Sequence, residues 1–278
     1  MKKILFLTDF SETANQAFIY ALQLAKNTNA EIFVLHVYEL PIIDYSGLHI
    51  SLHEIFETLE LNEFDKFRGH IPALRQIASD NNLEDVKMTH LLKQGDFVWT
   101  IKEVVEEEGI DFIILGTKGA KGLKKTFIGS NASALLNQTN KDVLIIPEGV
   151  TYKGFKRILF PIKFKPEDKK TLKHFIALTQ LDQPKIDCLY IKNAFSKTSL
   201  NAIEEWKNEF KDYPITYYIE EENDVKACIK SYIDNHHYDA IAMLTYKRSF
   251  FEELFKTSIA KELSYDINIP LYVVHETT

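Results

Sequence analysis

The chain repeats itself, and that self-similarity restricts its fold more than any other feature. Lys3-Ile4-Leu5-Phe6-Leu7 returns as Arg157-Ile158-Leu159-Phe160-Pro161, 154 residues on, and residues 32–37 meet 186–191 at the same offset. Past residue 86 the offset becomes 128 and is read without a gap to the end. Asp96 then meets Asp224, Asp111 meets Asp239, Phe127 meets Phe255, Ser130 meets Ser258, and residues 143–146 meet 271–274. The difference, 154 − 128 = 26 residues, implies an insertion in the first copy at about 40–85. Pro147, Gly149 and Gly154 mark a turn-rich connection. Two domains are therefore expected, 1–150 and 155–278.

Within a copy, short apolar runs alternate with helical patterns. Residues 4–7, 32–37, 86–92, 112–115 and 143–146 are rich in β-branched and aromatic side chains and read as buried strands of a parallel sheet. Between them, Ala17, Tyr20-Ala21 and Leu24, then Val98, Ile101 and Val104-Val105, then Leu135-Leu136, fall at helical spacing. Such alternation predicts right-handed βαβ units, hence an α/β chain of two tandem doubly wound, five-stranded, Rossmann-like domains. Ligands of such sheets sit at the carboxyl ends of the strands, beside the topological switch point.

Charge excludes one class of partner. The formal net charge is −7, and residues 1–150 carry all of it, with 14 Lys+Arg against 21 Asp+Glu; residues 151–278 hold 19 of each. No basic footprint for nucleic acid is present. Lys2-Lys3 and the four apolar residues after it are cut short by Thr8-Asp9, too soon for a signal peptide. No stretch approaches the roughly 18 apolar residues of a spanning helix. A cytoplasmic protein without a membrane partner is expected. Cys188 and Cys228 are too few for a disulfide framework and are expected in cores.

Phosphate chemistry is concentrated after the fourth strand. Gly116-Thr117-Lys118-Gly119 is followed by nine residues and then Gly129-Ser130, which opens a helix. Gly116 and Gly119 are read as letting the backbone approach a ligand and adopt positive φ. Gly129-Ser130 would offer a helix N-terminus to phosphate. Asp9, at the end of the first strand, would recognise a base or ribose. The plainer reading makes Asp9 a helix cap, with Glu12 completing a capping box. A P-loop is excluded because Lys124 stands where its second glycine must be.

These residues together resemble the universal stress protein family, whose ATP-binding members carry G-x2-G-x9-G-[ST] at this place. Gly116, Gly119, Gly129 and Ser130 fill that spacing, and Thr8-Asp9-Phe10-Ser11-Glu12 and His36-Val37 are similar to the family's first turn and second strand end. The resemblance covers both copies and implies the family's HUP-type fold. It further implies that Thr8, Asp9 and the backbone of Val37 surround adenine and ribose. Gly116, Thr117, Lys118 and Gly119 would wrap the ribose and first phosphate. Gly129, Ser130, Asn131 and Ala132 would hold the remaining phosphates of ATP (or ADP or AMP), with Mg²⁺ or Mn²⁺ bridging them. Lys118 replaces a residue that is often His in the family, and a cation there still suits a polyphosphate. No residue is assigned to a protein-borne metal site.

The second copy has lost these positions. Gly116 becomes Leu244, Gly119 becomes Lys247, Gly129 becomes Thr257 and Asp9 becomes Lys163. One nucleotide per chain is expected. The family's habit of dimerising through its fifth strand suggests that residues 143–146 and 271–274 pair within one chain as a pseudo-dimer; a homodimer of whole chains stays open. In the insertion, Phe56, Leu59, Phe64, Phe67 and Leu74 predict an amphipathic arm, packed on its own domain or serving as a lid or docking surface. Pro72 is expected to open a second helix there. Two functions remain: a nucleotide-responsive stress or signalling module with at most slow ATP hydrolysis, or an interaction module of the same fold that binds no nucleotide. No general base beyond Asp9 and no arginine suited to phosphoryl transfer favours an efficient enzyme.

Overall fold

The computed structural model describes residues 2–41, 52–117, 130–179, 183–192, 200–245 and 268–275. The chain divides into two compact units, Met1–Gly116 and Thr117–Thr278.

The first unit holds β1 (Lys3–Leu7), α1 (Glu12–Thr28), β2 (Glu31–Tyr38), α2 (Leu52–Asp80), β3 (Met88–Gln94), α3 (Phe97–Glu107) and β4 (Phe112–Thr117, whose last residue begins the second unit). Its strands run in the order β3-β2-β1-β4, each parallel to its neighbour. Ile4, Leu5 and Phe6, with Ile32, Val34, Ile113 and Ile114, are almost wholly buried, as strands covered on both faces require. Helix α1 lays Ala14, Ala17, Phe18, Ala21, Leu22 and Ala25 on the sheet, and the Phe6 and Phe18 rings meet at 5.0 Å. Its C-terminus is closed by Asn29 in the left-handed region.

Helix α2 departs from expectation. It is one helix of 29 residues with Pro72 inside it, not two helices with Pro72 at the start of the second. Pro72 and Arg68 are exposed, so the backbone bond that proline forgoes is given up to solvent, while buried Phe67, Leu74 and Ala78 hold the helix down on either side. The second half of the chain also has a helix here, α6, of 10 residues. Among the described residues α2 is thus the longer form of an element that both halves possess.

The second unit holds α4 (Ser130–Gln138), β5 (Asp142–Pro147), β6 (Arg157–Ile162), α5 (Pro166–Leu178), β7 (Lys185–Lys192), α6 (Leu200–Glu209), β8 (Ile215–Glu221), α7 (Val225–His236), β9 (Ala240–Thr245) and β10 (Leu271–His275). Strand order is β5-β10-β9-β6-β7-β8. All neighbours are parallel except β5 and β10, which run antiparallel with Leu271 opposite Ile145 and Val273 opposite Val143. The strand pairing expected at 143–146 and 271–274 is present. Gly149 and Gly154, both at φ +78°, turn the chain between β5 and β6.

Among the described residues each half of the sequence supplies five strands, and the pairings repeat. Lys3 faces Glu31 as Arg157 faces Lys185, and Ile4 faces Phe112 as Ile158 faces Ala240. Asp111 accepts the N–H of Lys3 at 2.9 Å, and Asp239 that of Arg157 at 2.8 Å. The gapless 128 offset fails at one place. Ile32 faces Met88 but Ile186 faces Ile215, an offset of 215 − 88 = 127. The helix caps restore 128: Asp96 accepts from the N–H of Trp99 at 2.9 Å and Asp224 from that of Ala227 at 3.0 Å. Gly95 alone separates β3 from its cap, whereas Glu222 and Asn223 separate β8 from its own. Strand pairing and cap are each pinned, and the loop absorbs the difference. Cys188 is buried as expected and burial pushes its thiol up; Cys228 is only half-buried. Among the described residues no helix is long and apolar enough to cross a membrane.

Candidate functional site

The first unit winds outward from β1 to β2 and β3, then returns to the other side of β1 with β4, so the switch point lies between β1 and β4. Leu7 pairs with Leu115, which sets the turn after β1 beside Gly116 at the carboxyl end of the sheet. The turn is tightly specified. Thr8 donates its N–H to the Leu35 carbonyl at 3.0 Å, and its Oγ1 accepts from the N–H of Phe10 at 2.9 Å. The Thr8 carbonyl accepts from His36 Nδ1–H at 2.7 Å, which fixes that ring's tautomer. Asp9 Oδ1 accepts from the N–H of Ser11 at 3.0 Å, an Asx turn that leaves the residue exposed at the strand end.

Ser11, not Asp9, caps α1, its Oγ accepting from the N–H of Ala14 at 3.2 Å. The capping-box alternative on Asp9 and Glu12 is overturned, because Ser11 occupies the N-cap and Asp9 lies two residues before it, in the preceding turn. Glu12 contributes only a favourable charge in the first helical turn. Gly116 also needs correction. It keeps ordinary strand backbone without positive φ, and a Cβ there would lie 2.9 Å from the Thr13 carbonyl oxygen and 3.3 Å from Ala17 Cβ. The close packing of α1 on β4 accounts for this glycine.

The remaining expected site residues are distributed as follows. Val37 is half-buried in the stretch of β2 that runs past the last paired residue of β1. Thr117 ends β4 and is buried. Ser130 opens α4, with Asn131 exposed and Ala132 buried behind it. Lys118, Gly119 and Gly129 lie outside the described residues. Phe10 was not anticipated. It has φ +59°, uncommon for an aromatic residue, and stacks flat on His70 of α2 with centroids 4.2 Å apart and an 8° tilt. His36 lies against it at 5.0 Å and Phe67 edge-on at 5.9 Å. The 154 offset carries Phe10 onto Phe164, which has φ +55°, a shared backbone that only the structure reveals.

The profile of the universal stress protein family matches residues 1–147, more than half of the chain. The chain belongs to the universal stress protein family. A universal stress protein of Methanocaldococcus jannaschii is 28% identical over 157 residues, spanning 52% of this chain and 94% of that protein. Universal stress protein A homolog 1 of Coxiella burnetii is 28% identical over 150 residues, spanning 52% and 95%. The crystal structure of a universal stress protein from Archaeoglobus fulgidus covers 99% of this chain and 96% of its own at a TM-score of 0.73 and 18% identity, a likeness of fold that extends over both halves.

Within this universal stress protein the second half treats the same turn differently. Phe164 is buried and closed in by Tyr190 and Trp206, each at 5.2 Å and near edge-on, and by Tyr217 at 6.1 Å. The N–H groups of Lys163 and Lys165 both donate to Oδ2 of Asp168, at 2.8 and 2.9 Å, and Asp168 is fully buried. Where the first half presents an exposed carboxylate, the second ties its turn inward and presents Lys163. Burial raises the Tyr217 phenol above its ordinary range, in keeping with a filled aromatic core.

Proposed function

We propose that this universal stress protein binds one adenine nucleotide, ATP or its products ADP and AMP, in its first half, and that occupancy sets the state of a stress or signalling module. The observation that carries the reading is the exposed Asp9 turn beside the Gly116 end of β4 at the switch point. From Gly116 the motif runs on through Gly119, Gly129 and Ser130. In this reading Thr8, Asp9 and the Val37 backbone take the base and ribose, and Gly116 to Gly119 the ribose and first phosphate. Gly129, Ser130, Asn131 and Ala132 take the outer phosphates, aided by the N–H groups at the start of α4. Mg²⁺ or Mn²⁺ would bridge the phosphate oxygens. The second half is proposed as the fixed partner of a pseudo-dimer, a reading that the β5–β10 ladder supports. Its inward-tied turn and buried Phe164 favour an interaction role for that half, without nucleotide. The cytoplasm is the proposed site of action.

Calorimetric titration with ATP and Mg²⁺ tests the reading, with mass spectrometry of any nucleotide released on denaturation. One site per chain is expected. Gly119→Leu or Gly129→Val should abolish binding while circular dichroism stays unchanged. Two equivalent sites, none, or full affinity in a folded variant would refute it.

A further inference from the structure

We propose that α2 is a lever read through Phe10, so that nucleotide held at the Asp9 turn changes how firmly this long helix is docked. The inference rests on the nucleotide reading above and assigns that site its regulation. Phe10 follows Asp9 directly, and the two share one hydrogen-bonded turn: Thr8 Oγ1 holds the N–H of Phe10 and Asp9 Oδ1 that of Ser11. Reorienting the carboxylate therefore moves the Phe10 ring. That ring leans on α2 through two side chains three residues apart, Phe67 and His70, which share a helix face. A left-handed backbone at an aromatic residue is strained and persists only where its surroundings over-determine it. Here those surroundings include α2. Further toward the helix N-terminus, the charges of Glu60 and Glu63 act on Tyr38, the last residue of β2, so this stretch of α2 stays close to the carboxyl end of that strand.

The second half is an internal control. It keeps the same backbone at Phe164 but seals it: the ring is buried among Tyr190, Trp206 and Tyr217, and the turn is fastened to Asp168. In the first half the ring is half-buried and its flat partner, His70, is exposed. A joint that served the fold alone would be sealed in both. The open one sits on the half that keeps Asp9, and on a helix that has 29 residues where its counterpart has 10 among the described residues. At about 1.5 Å per residue such a helix reaches roughly 44 Å. A ligand shifts such an equilibrium only by its differential affinity for the two states, and the coupling is reciprocal. Loosening the stack must then alter nucleotide affinity.

Hydrogen exchange of the full chain, with and without ATP and Mg²⁺, tests this in the wild type, in His70→Ala, which alters an exposed side chain, and in Phe67→Leu. Nucleotide should change the exchange of amides around residues 63–74 and leave α3 unchanged. In His70→Ala that response should shrink and ATP affinity should shift by about two- to ten-fold, the range expected for loss of one stacked pair. Bound ATP with unaltered exchange in α2 would overturn the lever alone. So would variants that keep both wild-type affinity and the full response. A wild-type chain that binds no ATP in calorimetry would refute the nucleotide reading and the lever with it.

Discussion

At Gly116 a methyl group would press against the Thr13 carbonyl oxygen at 2.9 Å, and backbone cannot retreat without shifting α1. Gly116→Ala should therefore cost about 1–3 kcal/mol in denaturant unfolding with no nucleotide present. Gly119 and Gly129 variants should instead affect binding alone. The sequence marks the position of this glycine but not its cause, because a helix from 100 residues earlier in the chain supplies the clash. His90 offers a second test at this scale. Burial, with Arg75 nearby, lowers its pKa, and its Nε2 is buried without a hydrogen-bond partner among the described residues. The folded chain thus holds His90 neutral while the unfolded chain takes up a proton below about pH 6.5. More protons on the unfolded side mean stability falls as pH drops through that window. His275, lowered chiefly by its burial, adds in the same direction. Unfolding at pH 7.5 and 5.5 should show this loss, and His90→Gln should reduce its slope; an unchanged slope would acquit His90.

Among elements, the inner strands were legible because burial on both faces leaves a continuous apolar run, as at Leu5, Phe6, Val143 and Leu144. By contrast β3, expected at 86–92 as a buried strand, runs Met88–Gln94 with none of its residues buried. Helix α2 was legible as an amphipathic pattern and misjudged at Pro72, where local chemistry says stop and tertiary packing overrides it. Proline inside a helix costs roughly 3 kcal/mol. Since Pro72 is exposed, Pro72→Ala should raise stability by about 1 kcal/mol or more without loss of packing. No rise in thermal midpoint would mean that the helix breaks at Ile71 in solution. The β8 register was illegible for a related reason: Gln94 and Glu221 both precede capped helices, and only pairing with β7 reveals where the extra loop residue sits. In the candidate site, Asp9 and Gly116 could be found from spacing. Phe10, which bridges β2 and α2, depends on contacts that spacing does not encode.

At the scale of the whole molecule, β5 carries first-half sequence into the second unit, where β10 covers it. Asp142, buried at the start of β5, accepts from the N–H of His275 at 2.8 Å and from His174 Nε2–H at 2.9 Å. A fragment of residues 1–150 loses both of these hydrogen bonds together with the β10 ladder and bares the apolar run Val143, Leu144, Ile145 and Ile146. It should self-associate in light scattering or melt lower than the full chain. A monomeric fragment of equal stability would show that β10 is dispensable. The same ladder has a consequence for abundance. Both strands belong to one polypeptide, so their pairing is intramolecular and independent of how dilute the protein is. Separate chains joined by the same edges would part as their numbers fell. A seam held within one polypeptide does not open on dilution, whatever the number of copies made.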